Sequence, residues 1–179
     1  MVCRFFVKLI REINHLKWIQ NELDKITAFP TVGNRIKYSK MKNNKGNVAR
    51  LNCIHFGMKR FGGVLSETNR TKDGRYKYLE KLLYDYIEIY YPDLNYNQIL
   101  VNKNNWFDIH KDKNNKQDIC YLVGLGNYSG GGLNTHNDEK ILTNTFDIRF
   151  KPLLFKNKTT YHSVNKWKGN RYSIITYLI

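Results

Sequence analysis

From Asn97 to Ile179 the chain breaks into short β-forming runs roughly eight to twelve residues apart, and this rhythm limits the possible folds more than any other feature. The runs are Gln98 to Val101, Trp106 to His110, Ile119 to Leu125, Thr145 to Phe150, Leu153 to Phe155, Thr159 to Val164 and Tyr172 to Leu178. Such spacing predicts a sandwich or a barrel. The first half reads differently. Phe5, Leu9, Ile13, Leu16, Ile19, Leu23 and Ile26 recur at three- or four-residue steps, which predicts an amphipathic helix from Arg4 to about Ala28, stopped by Pro30, with its stripe facing a core. A second helix is predicted from about Tyr76 to Tyr91, where Leu79, Leu82, Leu83, Tyr86, Ile87 and Tyr90 share a face and Pro92 ends the element. Between the helices, a polar cluster from Lys42 to Gly46 and a β-like run from Val48 to Phe56 read as loop and strand. The expected class is α+β: two N-terminal helices in a basic support region, 1–95, under a β core, 96–179. No internal repeat and no Pro- or Ser-rich linker divides the 179 residues, so one domain is expected.

Composition narrows the function classes. A hydrophobic fraction of 41% and a charged fraction of 25% are ordinary for a folded globular chain. No apolar run approaches the roughly 18 residues that span a bilayer, and charge interrupts the N-terminal stretch too often for a signal-peptide core. The expectation is an intracellular protein, nuclear or cytoplasmic, with no membrane partner and no obligate protein partner. Cys3, Cys53 and Cys120 are odd in number, widely separated and without a Cys-x-x-Cys pair, which argues against a disulfide framework or a cysteine zinc site. The net charge of +15 points to a polyanion such as nucleic acid, since clustered Lys and Arg release counterions when they bind phosphate. Drift in an A/T-rich genome, which enriches Lys and Asn codons, would give the same excess.

The chemistry concentrates in three places. His110 and Asp112, two residues apart in an extended run, project to one face and can reach one ion. His136 and Asp138 repeat the spacing, so a third ligand must decide. His162 lies in a β-like run about fifty residues beyond Asp112, far enough for intervening strands to return it beside the first pair. His136 and Asp138 instead follow Gly130, Gly131 and Gly132 in a polar segment that suits an exposed hairpin end. Two histidines and a carboxylate on one face leave coordination positions open, as non-haem Fe(II) oxygenases require for a cosubstrate and O2. Zinc hydrolysis is the rival chemistry. Arg171, nine positions after His162, with Ser173 on the same strand face, offers a guanidinium fork and a hydroxyl for a carboxylate.

These segments resemble a family. Asn102-Lys-Asn104, His110-Lys-Asp112-Lys-Asn114-Asn115, the stretch Leu122 to Leu133 with its Gly130 to Gly132 triplet, His162 and Gly169-Asn-Arg171-Tyr-Ser173 look like the 2-oxoglutarate- and Fe(II)-dependent dioxygenases. The resemblance covers the C-terminal half. Within that superfamily, the HxDxxN run and the GxYxGGxL hairpin are most similar to the TET/JBP-type nucleic-acid base hydroxylases and their fungal, protist and viral relatives. The resemblance implies a double-stranded β-helix of jelly-roll or cupin type. It implies His110, Asp112 and His162 as iron ligands, Arg171 on the distal carboxylate of 2-oxoglutarate with Ser173 assisting, and Asn102 or Asn104 steadying the other end. O2 would be the oxidant. Here three glycines stand where the family pattern usually has two and an acidic residue.

The implied activity is hydroxylation of a methylated base, 5-methylcytosine in DNA foremost, with a protein or small-molecule hydroxylase of the same superfamily as the alternative. An inactive nucleic-acid-binding β-sandwich is the third reading. Candidate phosphate contacts are Arg35, Lys37, Lys40, Lys42, Lys45, Arg50, Lys59, Arg60, Arg70, Lys72 and Arg75. Tyr38, Phe56, Phe61, Trp106, Tyr128 or Trp167 would stack on an extruded base, and His55 is a candidate for the substrate pocket.

Overall fold

The first apolar stripe forms helix α1 (Val2–Asp24) and the second forms α3 (Lys77–Tyr90), with a five-residue helix α2 (Asn69–Asp73) before it. The structure, a computed structural model, describes residues 2–32, 51–61 and 64–179. Arg35, Lys37, Tyr38, Lys40, Lys42, Lys45 and Arg50 lie outside the described residues, as do the side chains of Cys3, Phe5, Phe61 and Arg70. No helix among the described residues is long and apolar enough to cross a membrane.

The strands are β1 (Thr31–Val32), β2 (Leu51–Phe61), β3 (Val64–Glu67), β4 (Gln98–Lys103), β5 (Ile119–Leu125), β6 (Tyr128–Gly130), β7 (Leu133–His136), β8 (Leu142–Phe146), β9 (Leu153–Lys156), β10 (Tyr161–Val164), β11 (Trp167–Gly169) and β12 (Tyr172–Tyr177). The main sheet runs β1-β2-β4-β12-β5-β9, with β3 paired to β2. A smaller sheet runs β10-β7-β8, and β11 pairs with β6. All of these pairings are antiparallel. This is the expected α+β class with a double-stranded β-helix core. Its two faces follow from the two-residue period of a strand. Ile54 and Phe56 of β2, Ile99 and Val101 of β4, Tyr121 and Val123 of β5 and Tyr172 and Ile174 of β12 face α1 and α3 in one buried cluster. The alternate residues face inward. There Leu122, Leu133, Ile148, Leu153, Phe155 and Ile175 fill the space between the sheets, and Cys53, Leu100 and Tyr177 pack beside them.

Helix α3 buries Leu79, Leu82, Leu83, Tyr86 and Ile87, the face that its period predicts. Helix α1 departs from expectation at both ends. It stops at Asp24, where the Tyr172 hydroxyl donates to the Asp24 carboxylate (2.9 Å) and the Gly126 N–H donates to Gln20 Oε1 (2.8 Å). Its stripe meets the core from His15 onward, through Leu16, Ile19 and Leu23, whereas Leu9 of the same stripe is 38% exposed. The cause is length. With 23 residues against 14 in α3, at about 1.5 Å per residue, α1 overhangs its partner.

His15 sits at the start of the buried stretch, edge-on to Tyr86 (5.4 Å between ring centroids) and close to Tyr90 (5.9 Å) and Trp18 (6.1 Å). Its Nε2 is buried without a hydrogen-bond partner. Burial lowers the His15 pKa from 6.5, against the opposing pull of Asp85 and the Leu82 backbone. Between the lowered folded value and 6.5 the unfolded chain therefore binds the extra proton, so stability is complete above about pH 6.5 and declines as pH falls toward the folded pKa. Thermal unfolding should show a midpoint that drops from roughly pH 7.5 to about pH 5.5, and His15→Leu should flatten part of that slope. An unchanged slope in the variant would remove His15 as its source.

Candidate metal centre

His110 and His162 face each other across an isolated antiparallel bridge in which each N–H donates to the other's carbonyl (3.0 and 2.9 Å). Directly opposite residues in such a pair point to the same side, so the two imidazoles meet, with ring centroids 4.3 Å apart. The segment expected as a strand from Trp106 to His110 is irregular instead, and the bridge does the placing. Asp112 follows in the same extended stretch, its N–H donating to the Asn157 carbonyl (2.9 Å). The result is a cluster in which one ligand atom from each of His110, Asp112 and His162 lies within 4.8 Å of the others.

Each imidazole is aimed by its other nitrogen. His110 Nδ1 contacts the Asp108 carbonyl (2.6 Å) and His162 Nδ1 the Thr160 carbonyl (3.0 Å), which places the proton on Nδ1 and leaves the Nε2 lone pair toward Asp112. His110 Nε2 stands 3.8 Å from Asp112 Oδ1, and His162 Nε2 stands 3.5 Å from Asp112 Oδ2. Two donors sharing one ion at about 2.1 Å stand no more than about 4.2 Å apart, so the His110 Nε2–Oδ1 separation fits a shared transition-metal ion, with the His162 imidazole beside the same carboxylate. Phe155 meets the His162 ring edge-on at 5.2 Å and Phe107 lies 5.8 Å from the His110 ring, giving the cluster apolar walls. Burial, reinforced by Asp112, pushes the Cys120 thiol well above its ordinary value.

The competing pair does not assemble. His136 Nε2 is 3.0 Å from Ser163 Oγ, and Asp138, with its side chain 89% exposed, pairs with Lys111 (3.1 Å) at the end of the β7–β8 hairpin.

Arg171, just before β12, turns inward with its guanidinium among Tyr128 (5.7 Å to the ring) and Trp167 (5.6 Å). It is 2% exposed, and its Nε donates to the Gly131 carbonyl (2.9 Å). Burial lowers its pKa, opposed by Tyr128, yet a guanidinium stays charged in protein. Among the described residues no carboxylate pairs with it. The glycine triplet explains how the chain makes room: a Cβ on Gly131, whose φ is +67°, would lie 2.9 Å from Arg171 Cδ and Nε, and one on Gly132 would lie 2.6 Å from the Phe146 carbonyl oxygen. The triplet turns the chain from β6, paired with β11, into β7, paired with β10 and β8, so it forms a corner between sheets rather than a hairpin.

Ser173 and Asn102 are cross-strand partners on the inward face, with Asn102 Nδ2 3.5 Å from Ser173 Oγ. Asn105 donates to Asn102 Oδ1 (3.0 Å) and is itself clasped by the Asn52 backbone, which fixes the Asn102 amide with its NH2 toward Ser173. Asn104 behaves otherwise. Its Oδ1 accepts the Arg171 N–H (2.7 Å) and its Nδ2 donates to Asn170 (3.1 Å), so it braces the backbone that carries Arg171. The structure thus separates the two asparagines that the sequence left open. Of the candidate stacking residues, Phe56 is in the helix-side core, and the Trp106 indole donates to the Val164 carbonyl. Nothing in the sequence pattern singles out Asn157 and Tyr177, both of which donate to Asp112 Oδ2 at 3.1 Å.

No family model and no curated protein matches this sequence. Solved structures share the fold. An oxidoreductase of the 2OG-Fe(II) oxygenase family from Burkholderia pseudomallei superposes with a TM-score of 0.58 at 12% identity, covering 90% of this chain and 77% of that one. The structure of OsALKBH1 gives 0.55 at 14% identity, covering 94% and 91%. A Pseudomonas putida prolyl-4-hydroxylase gives 0.50 at 11% identity, covering 96% and 86%. Likeness at these identities is a likeness of fold.

Proposed function

We propose that this chain is an Fe(II)- and 2-oxoglutarate-dependent dioxygenase that hydroxylates a methylated nucleic-acid base, with 5-methylcytosine in DNA as the first substrate to test. One observation carries the reading: the inward face holds both a His-Asp-His ligand cluster and a buried guanidinium with no carboxylate partner among the described residues. Burying a cation is costly unless an anion joins it. A dicarboxylate with one end at Arg171 and the other at the ion meets both needs, and it separates this reading from simple zinc hydrolysis.

His110, Asp112 and His162 would hold the iron, and Arg171 would take the far carboxylate of 2-oxoglutarate through a charge-assisted fork. Ser173 and the inward NH2 of Asn102 supply further donors. Bound there, iron would supply O2 activation coupled to decarboxylation of 2-oxoglutarate to succinate, with hydroxylation of a substrate C–H bond. Phe107 and Phe155 limit water beside the ligands, and the Nδ1 contacts keep both imidazoles fixed.

The nucleic-acid substrate rests on charge and on the HxDxxN and GxYxGGxL segments. Residues 33–50 contain six Lys or Arg and no Asp or Glu, within a net charge of +15. Among described candidates, Arg60, Lys72 and Arg75 are exposed, while Lys59 is half-buried beside Asn69. Lys113, next to Asp112 itself, is exposed as well. Phosphate contacts of this kind offset the few kcal/mol needed to extrude a base.

The protein incubated with Fe(II), 2-oxoglutarate and methylated DNA should release succinate and yield hydroxymethylated nucleosides by mass spectrometry. Succinate with unchanged nucleosides but a hydroxylated prolyl peptide would move the substrate to protein. No succinate under any of these conditions would overturn the enzymatic reading.

A further inference from the structure

The Asp112 carboxylate is tied into a buried polar network, and two asparagines and a tyrosine make little sense there as packing alone. Asn157 is fully buried, Asn115 is 3% exposed and Tyr177 5%. Asn157 Nδ2 and the Tyr177 hydroxyl both donate to Asp112 Oδ2, each at 3.1 Å. Asn157 is held in turn by Asn115, whose Nδ2 donates to Asn157 Oδ1 (2.9 Å). Asn115 Oδ1 accepts the Leu178 N–H (3.0 Å), next to Tyr177. The backbone closes the loop, with Asp112 N–H donating to the Asn157 carbonyl (2.9 Å) and Asn115 N–H to the Asp112 carbonyl (3.0 Å). The loop carrying Asp112, the turn after β9 carrying Asn157 and the end of β12 carrying Tyr177 are thereby fixed to one another at a single carboxylate oxygen.

We infer that Tyr177 and Asn157, the latter set by Asn115, are positioning residues that engage Asp112 Oδ2 and so present Oδ1, the oxygen facing His110 Nε2, to the metal ion. The physical case is one of acceptor capacity and entropy. Two donors on Oδ2 fix the carboxylate rotamer, so ion binding does not have to immobilise it. With Oδ2 engaged, Asp112 gives one oxygen to the ion and leaves the remaining positions open for cosubstrate and O2. An aspartate in a loop needs such support more than one in a strand does, because no ladder of backbone bonds holds its register. This inference rests on the metal-centre reading above.

Mn(II) alone, titrated into the purified full chain and followed by the loss of the free-ion EPR signal, separates the two. The unaltered chain should bind one Mn(II). Tyr177→Phe keeps the ring packed against Cys53 and Leu100 but removes the donor, and should weaken Mn(II) binding by about 10-fold, the low end of the effect of losing an outer-shell partner. Asn157→Ala, which also uncouples Asn115, should weaken it by about 100-fold. The metal-free unfolding midpoint of Tyr177→Phe should stay near that of the parent, which a merely structural role would not combine with weaker binding. Parent-like Mn(II) affinity in folded Tyr177→Phe would overturn the inference while the metal centre stood. Failure of the unaltered chain to bind Mn(II) would overturn the metal centre itself.

Discussion

Replacing His162 with alanine should abolish specific metal binding and lower succinate formation by more than about 100-fold, the most that loss of an outer-shell partner usually costs. His162 is 6% exposed, stands 3.5 Å from Asp112 and is set against His110 by their backbone bridge, so its loss removes one of the two imidazoles that the cluster brings together. His136 is the informative control. It has the same His-x-Asp spacing in the sequence, but its ring is committed to Ser163, and its partner Asp138 is committed to Lys111. His136→Ala should therefore leave Mn(II) affinity at the parental value. Loss of metal binding in His136→Ala with retention in His162→Ala would reverse the assignment. Alanine at 162 also removes the edge contact with Phe155, so a lower unfolding midpoint is expected, and the metal titration must be read on folded protein.

Part of the fold and of this cluster is legible in the sequence and part is hidden, for identifiable physical reasons. Helix α3 and strands β4, β5, β9, β10 and β12 were legible because each is a run whose apolar period matches its own element. That His110, Asp112 and His162 come together was legible because two of them lie close in sequence and the third lies on a strand. What stayed hidden depends on partners distant in sequence. Strands β6 and β11 have three residues each, too few for alternation to show, and exist because they pair with each other. The bridge that sets His110 against His162 belongs to no strand. Asn102 and Asn104 look alike in sequence and differ only because strand alternation sends one toward Ser173 and leaves the other, at φ +53°, on the Arg171 backbone. A buried asparagine such as Asn157 carries no periodic signal, since a polar residue at its spacing is as readily read as loop.

Arg171 is where sequence and structure together make the strongest demand. Arg171→Lys should raise the 2-oxoglutarate requirement by roughly 10- to 150-fold, the equivalent of one charge-assisted hydrogen bond at about 1.5 to 3 kcal/mol, while leaving Mn(II) affinity unchanged. A lysine keeps the positive charge but not the fork, and its single ammonium cannot serve both the Gly131 carbonyl and a carboxylate bidentately. Arg171→Ala should cost more in cosubstrate affinity. It also leaves the Gly131 carbonyl without its donor and empties the space between Tyr128 and Trp167, so the lysine variant is the cleaner measurement. Gly131→Ala tests the same site without touching the charge: a Cβ 2.9 Å from Arg171 Cδ and Nε at a φ of +67° must displace the guanidinium, and should likewise raise the cosubstrate requirement. If 2-oxoglutarate is bound at Arg171, all three variants lose affinity for it while retaining the metal. A parental 2-oxoglutarate dependence in Arg171→Lys and Gly131→Ala would mean that the buried guanidinium serves the fold alone, and the cosubstrate would have to be sought elsewhere on the inward face.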